Sequence, residues 1–501
     1  MSLDLSTPAG VRASMAALAL PRDAIVDGQA TGAADGARFD NIGPGDGRVL
    51  NAVAAGGAVD VDRAVQAARA AFEDGRWRDQ PARARKRVLH RLADLMERHA
   101  DELALLESLD TGKPITEARG IDIPLAIGTA RYYAEAVDKV YGEVAPHLAG
   151  RLSYAVHAPL GVVGAIVPWN FPLHMAMWKV APALAMGNSV VLKPAEQSPM
   201  TALRLGALAL EAGLPAGVLN VVPGDGGCGR ALALHDAVDM IAFTGSGAVG
   251  RKLMTYSAES NLKRISLELG GKSPQIVFAD CPDLDAAAEA AAWGVFYNGG
   301  QVCTAASRLL VERPIRDAFV AKVVEVARGI VPGDPLDPAT RFGAIVSERQ
   351  MQGVLGHIAR AEAEGGERML GGGRTREESG GFYVSPTIFG VAPHMALARE
   401  EVFGPVLGVI AFDDEAESLR IANDTVYGLA AGVWTGSIDR AHRCADRLRA
   451  GLVWVNGWDA CDITMPFGGF RQSGWGRDRS LHALEKYADL KAVSISYKVA
   501  P

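Results

Sequence analysis

Apolar and polar positions follow two different rhythms along the chain. Over residues 61–106, which include "VDRAVQAARAAF" and "VLHRLADLMERHADELALL", apolar side chains recur at helical spacing among charged ones, and residues 114–141 continue the pattern. From Val162 onward, short strand-like runs ("VVGAIV", "NSVVLK", "GVLNVV", "DMIAFT") alternate with helical stretches. Such alternation is typical of right-handed βαβ units. It predicts an α/β protein with a helical opening followed by a parallel sheet.

The alternation starts again near Gly270, which predicts a second α/β unit. There a helical stretch ("LDAAAEAAAWGVF") precedes a strand ("SRLLVE") and a helix from Pro314 to Ile330. Two further segments alternate like exposed strands: "RLSYAVHAPL" near residue 151, and the tail, where Val493, Ile495 and Tyr497 share one face. We expect these two segments to form one β flap whose edges pair between subunits.

Composition narrows the class of protein. At 501 residues the chain is long enough for two or three domains. It is 49% hydrophobic and 22% charged, and no apolar run approaches the roughly 20 residues that cross a bilayer. With no basic leader at its start, we expect a cytoplasmic protein without a membrane partner. The net charge of -7 and the lack of a Lys/Arg cluster argue against a nucleic-acid partner.

Cysteine is used sparingly. The chain holds Cys228, Cys281, Cys303, Cys444 and Cys461, an odd number at wide spacings, which fits neither a disulfide framework nor a metal site. Cys303 differs from the others because Gly299 and Gly300 precede it in "FYNGGQVC". Glycines permit unusual backbone angles and the close approach of a ligand, which a nucleophilic thiol needs. The alternative is a small buried apolar residue.

Two other residues have the chemistry to assist a thiol nucleophile. Asn170 follows the strand "VVGAIV" between Pro168 and Pro172, and its amide could donate to an oxyanion. Glu268 ends an apolar strand in "LELGG", where burial would raise its pKa toward that of a general base. A turn asparagine and a structural glutamate remain the alternatives.

Glycine-rich turns predict a dinucleotide site. The pattern GxGxxG occurs after a strand and before a helix at Gly224, Gly226 and Gly229. It occurs again, one βα unit later, at Gly245, Gly247 and Gly250. Glycines in such turns let the backbone approach a pyrophosphate at a helix N-terminus. The pattern alone does not choose between the two turns.

Lys193 and Glu196 lie just past the strand "SVVLK". An acidic side chain at such a strand end can accept hydrogen bonds from both ribose hydroxyls, which favours NAD over a 2′-phosphate. A solvated pair of charges is the alternative. Ser198 and Pro199 predict the N-cap and first residue of the next helix.

Together these segments resemble the NAD(P)-dependent aldehyde dehydrogenases. The resemblance covers the chain from about Asn41 to Tyr497, and it rests on "PWNFP", "LKPAEQSP", "FTGSGAVG", "LELGGKSP", "GGQVC", "EEVFGPV" and "PFGGFRQSGWGR" in this order. It implies that Cys303 attacks an aldehyde, while the Asn170 amide and the Cys303 backbone N–H hold the oxyanion. Hydride would pass to the nicotinamide, and Glu268 would activate the water that hydrolyses the thioester to a carboxylic acid.

The resemblance also implies a set of cofactor contacts. Lys193 and Glu196 would bind the adenosine ribose, and Gly245 and Ser246 would meet the pyrophosphate, which favours the later glycine turn. The remaining residues of the implied NAD site, with NADP left open, are Trp169, Gly226, Glu401 and Phe403. Gly247 and Ala248 stand where many relatives have Thr and Glu, a departure that affects only local cofactor contacts.

The family fold implies three parts and a homodimer or homotetramer. The predicted cofactor-binding domain comprises residues 1–131 and 160–269, the catalytic domain residues 270–480, and the oligomerisation flap residues 132–159 and 481–501.

The C-terminal third is most similar to gamma-glutamyl-gamma-aminobutyraldehyde and guanidinobutyraldehyde dehydrogenases of polyamine breakdown. On one helical face, Glu107 and Asp110 could attract a cationic tail, or be solvated charges. Asp459 and Asp462 raise the same possibility. Trp178 and Trp458 could wall the substrate tunnel, or pack in the core.

Two other functions remain open from the sequence. A CoA-acylating semialdehyde dehydrogenase of the same superfamily would release its thioester to a thiol, although Glu268 in its usual setting speaks against this. The other is a catalytically inactive protein that keeps the fold for a structural or cofactor-binding role. The presence of Cys303, Glu268 and Asn170 together argues against it.

Overall fold

The computed structural model describes residues 3–460 and 462–499, so Cys461 lies outside the described residues. The α-helices are α1 (Pro8–Ala17), α2 (Ala58–Glu73), α3 (Ala82–Arg98), α4 (Ala100–Thr111), α5 (Ile115–Glu117), α6 (Ile123–Ala136), α7 (Pro172–Ala185), α8 (Met200–Glu211), α9 (Gly226–Leu234), α10 (Gly247–Glu259), α11 (Leu284–Phe296), α12 (Arg316–Arg328), α13 (Glu348–Ala363), α14 (Ala396–Arg399), α15 (Glu415–Asn423), α16 (Ile438–Arg447) and α17 (His482–Glu485).

The strands are β1 (Ala24–Val26), β2 (Gln29–Thr31), β3 (Arg38–Ile42), β4 (Val49–Ala54), β5 (Glu143–Val144), β6 (Arg151–Pro159), β7 (Val162–Ile166), β8 (Ser189–Lys193), β9 (Leu219–Val221), β10 (Met240–Thr244), β11 (Arg264–Glu268), β12 (Pro274–Val277), β13 (Arg308–Glu312), β14 (Glu367–Leu370), β15 (Arg374–Thr375), β16 (Tyr383–Val384), β17 (Thr387–Gly390), β18 (Val406–Phe412), β19 (Ala430–Trp434), β20 (Leu452–Val455), β21 (Gly474–Trp475) and β22 (Ala488–Ser496).

The first sheet is doubly wound. Its strand order is β2-β1-β9-β8-β7-β10-β11-β21, with β9, β8, β7, β10 and β11 parallel and the outer strands antiparallel. The order reverses between β7 and β10, and ligands bind in the crevice at such a switch point, beyond the carboxyl ends of the strands. The predicted α/β class is confirmed.

Burial explains why these segments form central strands. Every residue of β7, β8 and β10 is buried, as the continuous Val- and Ile-rich runs require for a sheet covered on both faces. Helix α7 is buried along its whole length, and it packs with α3, α6 and α8 over this sheet. The main core therefore lies beneath the carboxyl ends of β7 and β10.

The predicted start of α8 needs a correction. Pro199 is the residue before the helix instead of its first residue, and the Ser198 side chain caps no backbone N–H. The cap comes from Asp110 on α4, whose carboxylate accepts a hydrogen bond from the Met200 N–H at 2.9 Å. A cap supplied by another helix leaves no local sequence signal.

The second sheet has the order β14-β17-β18-β13-β12-β19-β20 and is parallel except at β14. Residues 274–277 and 308–312 supply two of its strands, as the repeated alternation predicts. The short strand β21 belongs to the first sheet, pairing Leu267 with Trp475, so the chain returns there late. The predicted division into domains stays a prediction.

The two segments predicted to form a flap do pair. Strand β22 runs antiparallel to β6 over nine residue pairs from Ala488–Pro159 to Ser496–Arg151, and β5 lies on the other side of β6. Large apolar side chains are exposed on this sheet, among them Val144, Leu152 and Leu490. Within the described residues, no helix has the length and apolar character that crossing a membrane requires.

Candidate active site

One cavity of about 440 Å³ collects most of the predicted chemistry. Asn170 enters it from the loop after β7, Gly245 and Ser246 from the turn after β10, and Glu268 from the end of β11. Cys303 reaches it from the segment between α11 and β13. The cavity thus lies at the switch point of the first sheet, and the segment that leads into β13 of the second sheet supplies the thiol.

The glycines before Cys303 do have unusual backbone angles. Residues 297–300 form a 3-10 turn in which Asn298, Gly299 and Gly300 have φ of 50°, 64° and 73°. A Cβ on Gly300 would lie 2.2 Å from the carbonyl of Gly404. What approaches this glycine is therefore protein backbone, whereas the sequence had suggested a ligand.

Gly300→Ala is expected to destabilise the protein, because it combines left-handed backbone with a collision against backbone that cannot rotate away. The expected cost is about 3 kcal/mol or more. Differential scanning fluorimetry should show a clearly lower unfolding temperature. The matched control is Gly353→Ala on the exposed face of α13, where a Cβ meets nothing within 4 Å. Equal unfolding temperatures for both variants would show that this turn has no such constraint.

Asn170 is held by its backbone and its side chain. Its backbone carbonyl accepts hydrogen bonds from Lys113 Nζ at 3.2 Å and from Asn298 Nδ2 at 3.0 Å. Its own Nδ2 donates to the Gln301 carbonyl at 2.8 Å. A primary amide has two N–H donors, so the second remains for an oxyanion in the cavity.

Glu268 has the properties of a general base. It is buried, and neither carboxylate oxygen has a hydrogen-bond partner that meets ordinary geometry among the described residues. Burial raises the pKa of Glu268 to about 8, while the Lys179 ammonium and the Cys303 thiol partly offset the rise. A carboxyl with such a pKa can both accept and release a proton near neutral pH.

The surroundings of Cys303 favour the protonated thiol over the thiolate. Burial raises the pKa of this thiol well above its ordinary value, and the charges of Glu268 and Asp459 raise it further, whereas Arg479 lowers it. The thiolate therefore has to form during the reaction, and a neighbouring base has to take the proton.

A buried ion cluster beside Glu268 was missed by the sequence reasoning. Asp478 pairs with Lys179 on α7 and with Lys486; Lys179 and Asp478 are buried and Lys486 is nearly so. Although burial acts to raise it, the two ammonium groups hold the pKa of Asp478 below its ordinary value. A lysine within the apolar helix "HMAMWKVAPALAM" was the available signal, since buried lysines are nearly always paired.

The cavity also collects candidate contacts for a nicotinamide ring and its ribose. The rings of Trp169 and Phe403 meet edge to face at 5.3 Å. Glu401 accepts a hydrogen bond from the Gly271 N–H at 3.0 Å, and burial raises its pKa to about 7. The Glu401 carboxylate fits only because Gly270 has no side chain, since a Cβ there would lie 2.0 Å from Glu401 Oε2.

Of the two glycine turns, the later one lies at the cavity. Gly245 and Ser246 line it, and Ser246 caps α10 by accepting a hydrogen bond from the Val249 N–H. At Gly250 a Cβ would lie 2.9 Å from Leu269, as expected where a helix packs tightly on a strand. Gly226 begins α9 instead, with open space where its Cβ would be.

Lys193 and Glu196 are brought together beyond β8, with 3.5 Å between Lys193 Nζ and Glu196 Oε2. Glu196 lines a second large cavity together with Asp225 and Ser347. Gln350, one turn further along α13, lines the cavity of Cys303. The two cavities therefore lie on either side of the start of α13.

The predicted substrate tryptophans lie near the thiol. Trp178 lines the cavity of Cys303, and its indole N–H donates to His174 Nε2 at 2.8 Å. Trp458 lines an adjoining cavity, and Asp459 lines both. Arg479, which the sequence reasoning missed, packs its guanidinium 4.7 Å from the Trp178 ring centre.

The prediction that Asp110 contacts the substrate is wrong. Asp110 is fully buried, and its carboxylate accepts hydrogen bonds from Asn41 Nδ2 and from the Met200 N–H. Glu107 is also fully buried, so neither residue is a solvated charge or a tunnel residue. Asp462 lies on the surface, bonded to Thr464. Helical periodicity placed Glu107 and Asp110 on a common face but could not show that this face is packed against α7 and α8.

Fold and site together define an NAD(P)-linked oxidoreductase that works through a cysteine. A family model described as "Aldehyde dehydrogenase family" matches residues 31–493, and the chain belongs to this family. Its relatives include the "NADP/NAD-dependent aldehyde dehydrogenase PuuC" of Escherichia coli, 51% identical over 481 residues that cover 96% of each chain.

Solved structures give the same result. A gamma-glutamyl-gamma-aminobutyraldehyde dehydrogenase from Burkholderia cenocepacia is 56% identical with a TM-score of 0.97, covering 98% of this chain and 99% of that one. An indole-3-acetaldehyde dehydrogenase in complex with NAD+ is 53% identical with a TM-score of 0.97, covering 98% and 100%. The predicted family is confirmed, while neighbours of nearly equal similarity differ in the aldehyde they are named for.

Proposed function

We propose that the protein oxidises amino- and gamma-glutamylamino-aldehydes to carboxylic acids with NAD, through a thioester on Cys303. The observation that carries this proposal is the meeting of Cys303, Glu268 and the Asn170 amide in one cavity with the glycine turn Gly245–Ser246. A thiol, a base, an oxyanion donor and a helix N-terminus are the parts that acyl chemistry next to a dinucleotide needs.

The reaction begins at the sulfur. As Cys303 Sγ bonds to the aldehyde carbon, its proton passes to the Glu268 carboxylate and the C=O pair moves onto oxygen. The second N–H of Asn170 and the Cys303 backbone N–H donate to this oxyanion. Lys113 and Asn298 keep Asn170 in place through its backbone carbonyl.

Oxidation and hydrolysis follow. When bound, the oxidised nicotinamide supplies the acceptor for the hydride lost from the former aldehyde carbon. As this hydride leaves, the oxyanion collapses to a C=O bond, and a thioester remains on Cys303. Glu268 releases the thiol proton to solvent and then takes a proton from water as the water oxygen attacks the thioester carbon. The C–S bond breaks, the carboxylic acid leaves, and the Cys303 sulfur takes the proton back from Glu268.

The residues present fit a nicotinamide dinucleotide. Gly245 and Ser246 would receive the pyrophosphate, and Glu401 and Phe403 the nicotinamide ribose and ring, with Trp169 behind Phe403. Lys193 and Glu196 would bind the adenosine ribose, and Gly226 would border it. The Glu196 carboxylate supports NAD over NADP because it would repel a 2′-phosphate. The NAD+ complex of the indole-3-acetaldehyde enzyme supports the same choice.

The substrate class is supported by the names of relatives and by the site. The Burkholderia cenocepacia enzyme is named for gamma-glutamyl-gamma-aminobutyraldehyde. Trp178, Trp458 and Asp459 give the cavities aromatic walls and a carboxylate. Trp178 and Trp458 are therefore proposed substrate contacts.

A substrate panel tests this function. We expect NADH absorbance to rise with gamma-aminobutyraldehyde and its gamma-glutamyl derivative, at a rate that added CoA does not change. A rate dependent on CoA would favour an acylating dehydrogenase, and no NADH with any aldehyde would indicate a protein without the chemistry.

Turnover should depend on the ionisation of Glu268. With a pKa of about 8, this carboxyl is ionised in about one molecule in ten at pH 7, and only the carboxylate can accept a proton. We expect kcat, measured at saturating NAD and aldehyde, to rise with pH, to reach half its maximum near pH 8 and to level off above about pH 9. The inflection should disappear in Glu268→Gln, and its persistence there would assign it to another group.

Assembly and location are proposed on similar grounds. The exposed apolar residues and open edges of the sheet β22-β6-β5 support a homodimer or homotetramer formed through that sheet. A reactive Cys303 thiol has to stay reduced, which supports the cytoplasm.

A further inference from the structure

The cavity lined by Trp458 has a volume of about 410 Å³ and adjoins the cavity that holds Cys303. The two cavities share the lining residues Ile121, Tyr297, Val302, Thr304 and Asp459. Exposed side chains, Thr116 and Arg341, stand in the wall of the cavity lined by Trp458, and we call it the outer chamber. Because the walls are shared, a substrate whose aldehyde lies at Cys303 can extend into the outer chamber.

The outer chamber is lined by two carboxylates, Glu117 and Asp459, and one guanidinium, that of Arg341; Glu117 and Arg341 do not hydrogen-bond to each other. Glu117 Oε2 is buried without a hydrogen-bond partner. In the described part of the chain Arg341 forms no salt bridge; its guanidinium carbon lies over the Trp293 ring, 4.8 Å from the centroid. A buried polar atom without a partner is costly, so Glu117 is a candidate for a ligand's donor.

The pKa of Glu117 supports this interpretation. Burial raises it to about 8, and of the nearby charges Lys113 lowers it, Asp122 raises it and Arg341 lowers it. An ammonium group placed beside Glu117 would stabilise its carboxylate form. The carboxylate would in turn bind the ammonium more tightly than the neutral acid does.

The rest of the wall is aromatic and fixed in position. Trp293, Tyr297 and Trp458 line the outer chamber. The Trp458 ring packs on Trp454 with 5.0 Å between centroids, and a Cβ on Gly432 would lie 2.7 Å from the same ring. Such walls suit the methylene and amide groups of a chain that joins two polar ends.

We propose that the outer chamber binds an α-amino-acid group, a carboxylate and an ammonium on one carbon, at the far end of the aldehyde substrate. Arg341 holds the carboxylate and Glu117 the ammonium. A lone ammonium would face the repulsion of Arg341, and a lone carboxylate that of Glu117 and Asp459, so only a group with both charges is matched by the chamber. The inference rests on the proposed function and identifies what selects glutamylated aldehydes from simple ones.

The test pairs enzyme variants with substrate variants. Steady-state kinetics with saturating NAD would compare gamma-glutamyl-gamma-aminobutyraldehyde with the same molecule carrying an α-carboxamide, and hexanal would report basal activity. We expect Arg341→Gln to raise KM for the carboxylate substrate about tenfold or more and to leave kcat, the carboxamide and hexanal nearly unchanged. Glu117→Gln, which keeps the side chain's shape, should raise KM for the free amine but not for its N-acetyl derivative. Arg328→Gln, an exposed arginine on α12 outside the chamber, is the control.

Each outcome decides a different point. Equal KM changes for the carboxylate and carboxamide substrates, or no change for either, would overturn the proposal while the proposed function stands. If Arg341→Gln lowers KM for the carboxamide substrate and leaves KM for the carboxylate substrate unchanged, the proposal is overturned in favour of a site that binds cations only. If the unmodified protein oxidises hexanal but not the glutamylated aldehyde, both the substrate class and the chamber assignment fail. If it oxidises no aldehyde, the proposed function itself fails.

Discussion

Replacing Cys303 by alanine is expected to abolish aldehyde oxidation. Without the sulfur no covalent intermediate can form, and the loss in kcat should be about 10⁴-fold or more, as when a catalytic nucleophile is removed elsewhere. NAD affinity, followed by quenching of tryptophan fluorescence, should stay close to that of the unmodified protein, because the proposed cofactor contacts come from other residues. The rate is measured as NADH formed at saturating aldehyde and NAD.

The control is Cys281→Ala. Cys281 is a free, partly buried thiol whose Sγ donates to the Asp283 carbonyl, and it does not line the cavity of Cys303. This variant should keep full activity. Full turnover by Cys303→Ala would refute the covalent route, and loss of activity in both variants would point to a general effect of removing thiols.

Replacing Glu268 by glutamine is expected to separate the two halves of the reaction. Glutamine keeps the shape of the side chain but cannot accept the proton of water, so the thioester should accumulate. Rapid mixing should give a burst of NADH approaching one per active site. Steady turnover should then be slower by about 10²- to 10⁴-fold, the usual contribution of a general base.

Because Glu268 also takes the thiol proton in the proposed mechanism, the burst itself should be slower than the first turnover of the unmodified protein, while it remains faster than hydrolysis. Glu289→Gln, on the exposed face of α11, should turn over normally. Unchanged steady turnover in Glu268→Gln would contradict the assignment of this residue as the base for hydrolysis.

Much of the fold could be predicted from local sequence patterns. The buried strands β7, β8 and β10 read as continuous apolar runs, and the turn at Gly245 keeps its glycine where a Cβ would lie 2.5 Å from the Phe243 ring. The glycines before Cys303 could be connected with strained backbone from the sequence, since few other residues adopt those angles.

What the sequence could not supply was the pairing of distant charges. Asp110 has the spacing of a surface acid, yet it caps α8 from inside the core. Arg479 reaches the cavity only because the tail returns to the first sheet, and the same return brings Asp478 to Lys179, some 300 positions earlier in the chain. Periodicity describes one element at a time, so contacts of this kind need the tertiary structure.

The covalent mechanism is tested most directly by the mass of the protein during turnover. Glu268→Gln would be mixed with NAD and gamma-glutamyl-gamma-aminobutyraldehyde, quenched in acid within the burst, and digested for peptide mass spectrometry. The proposed mechanism predicts an added acyl group on the peptide that contains Cys303, and none when NAD is omitted. A burst of NADH with an unmodified Cys303 peptide, or an acyl group on another residue, would contradict it.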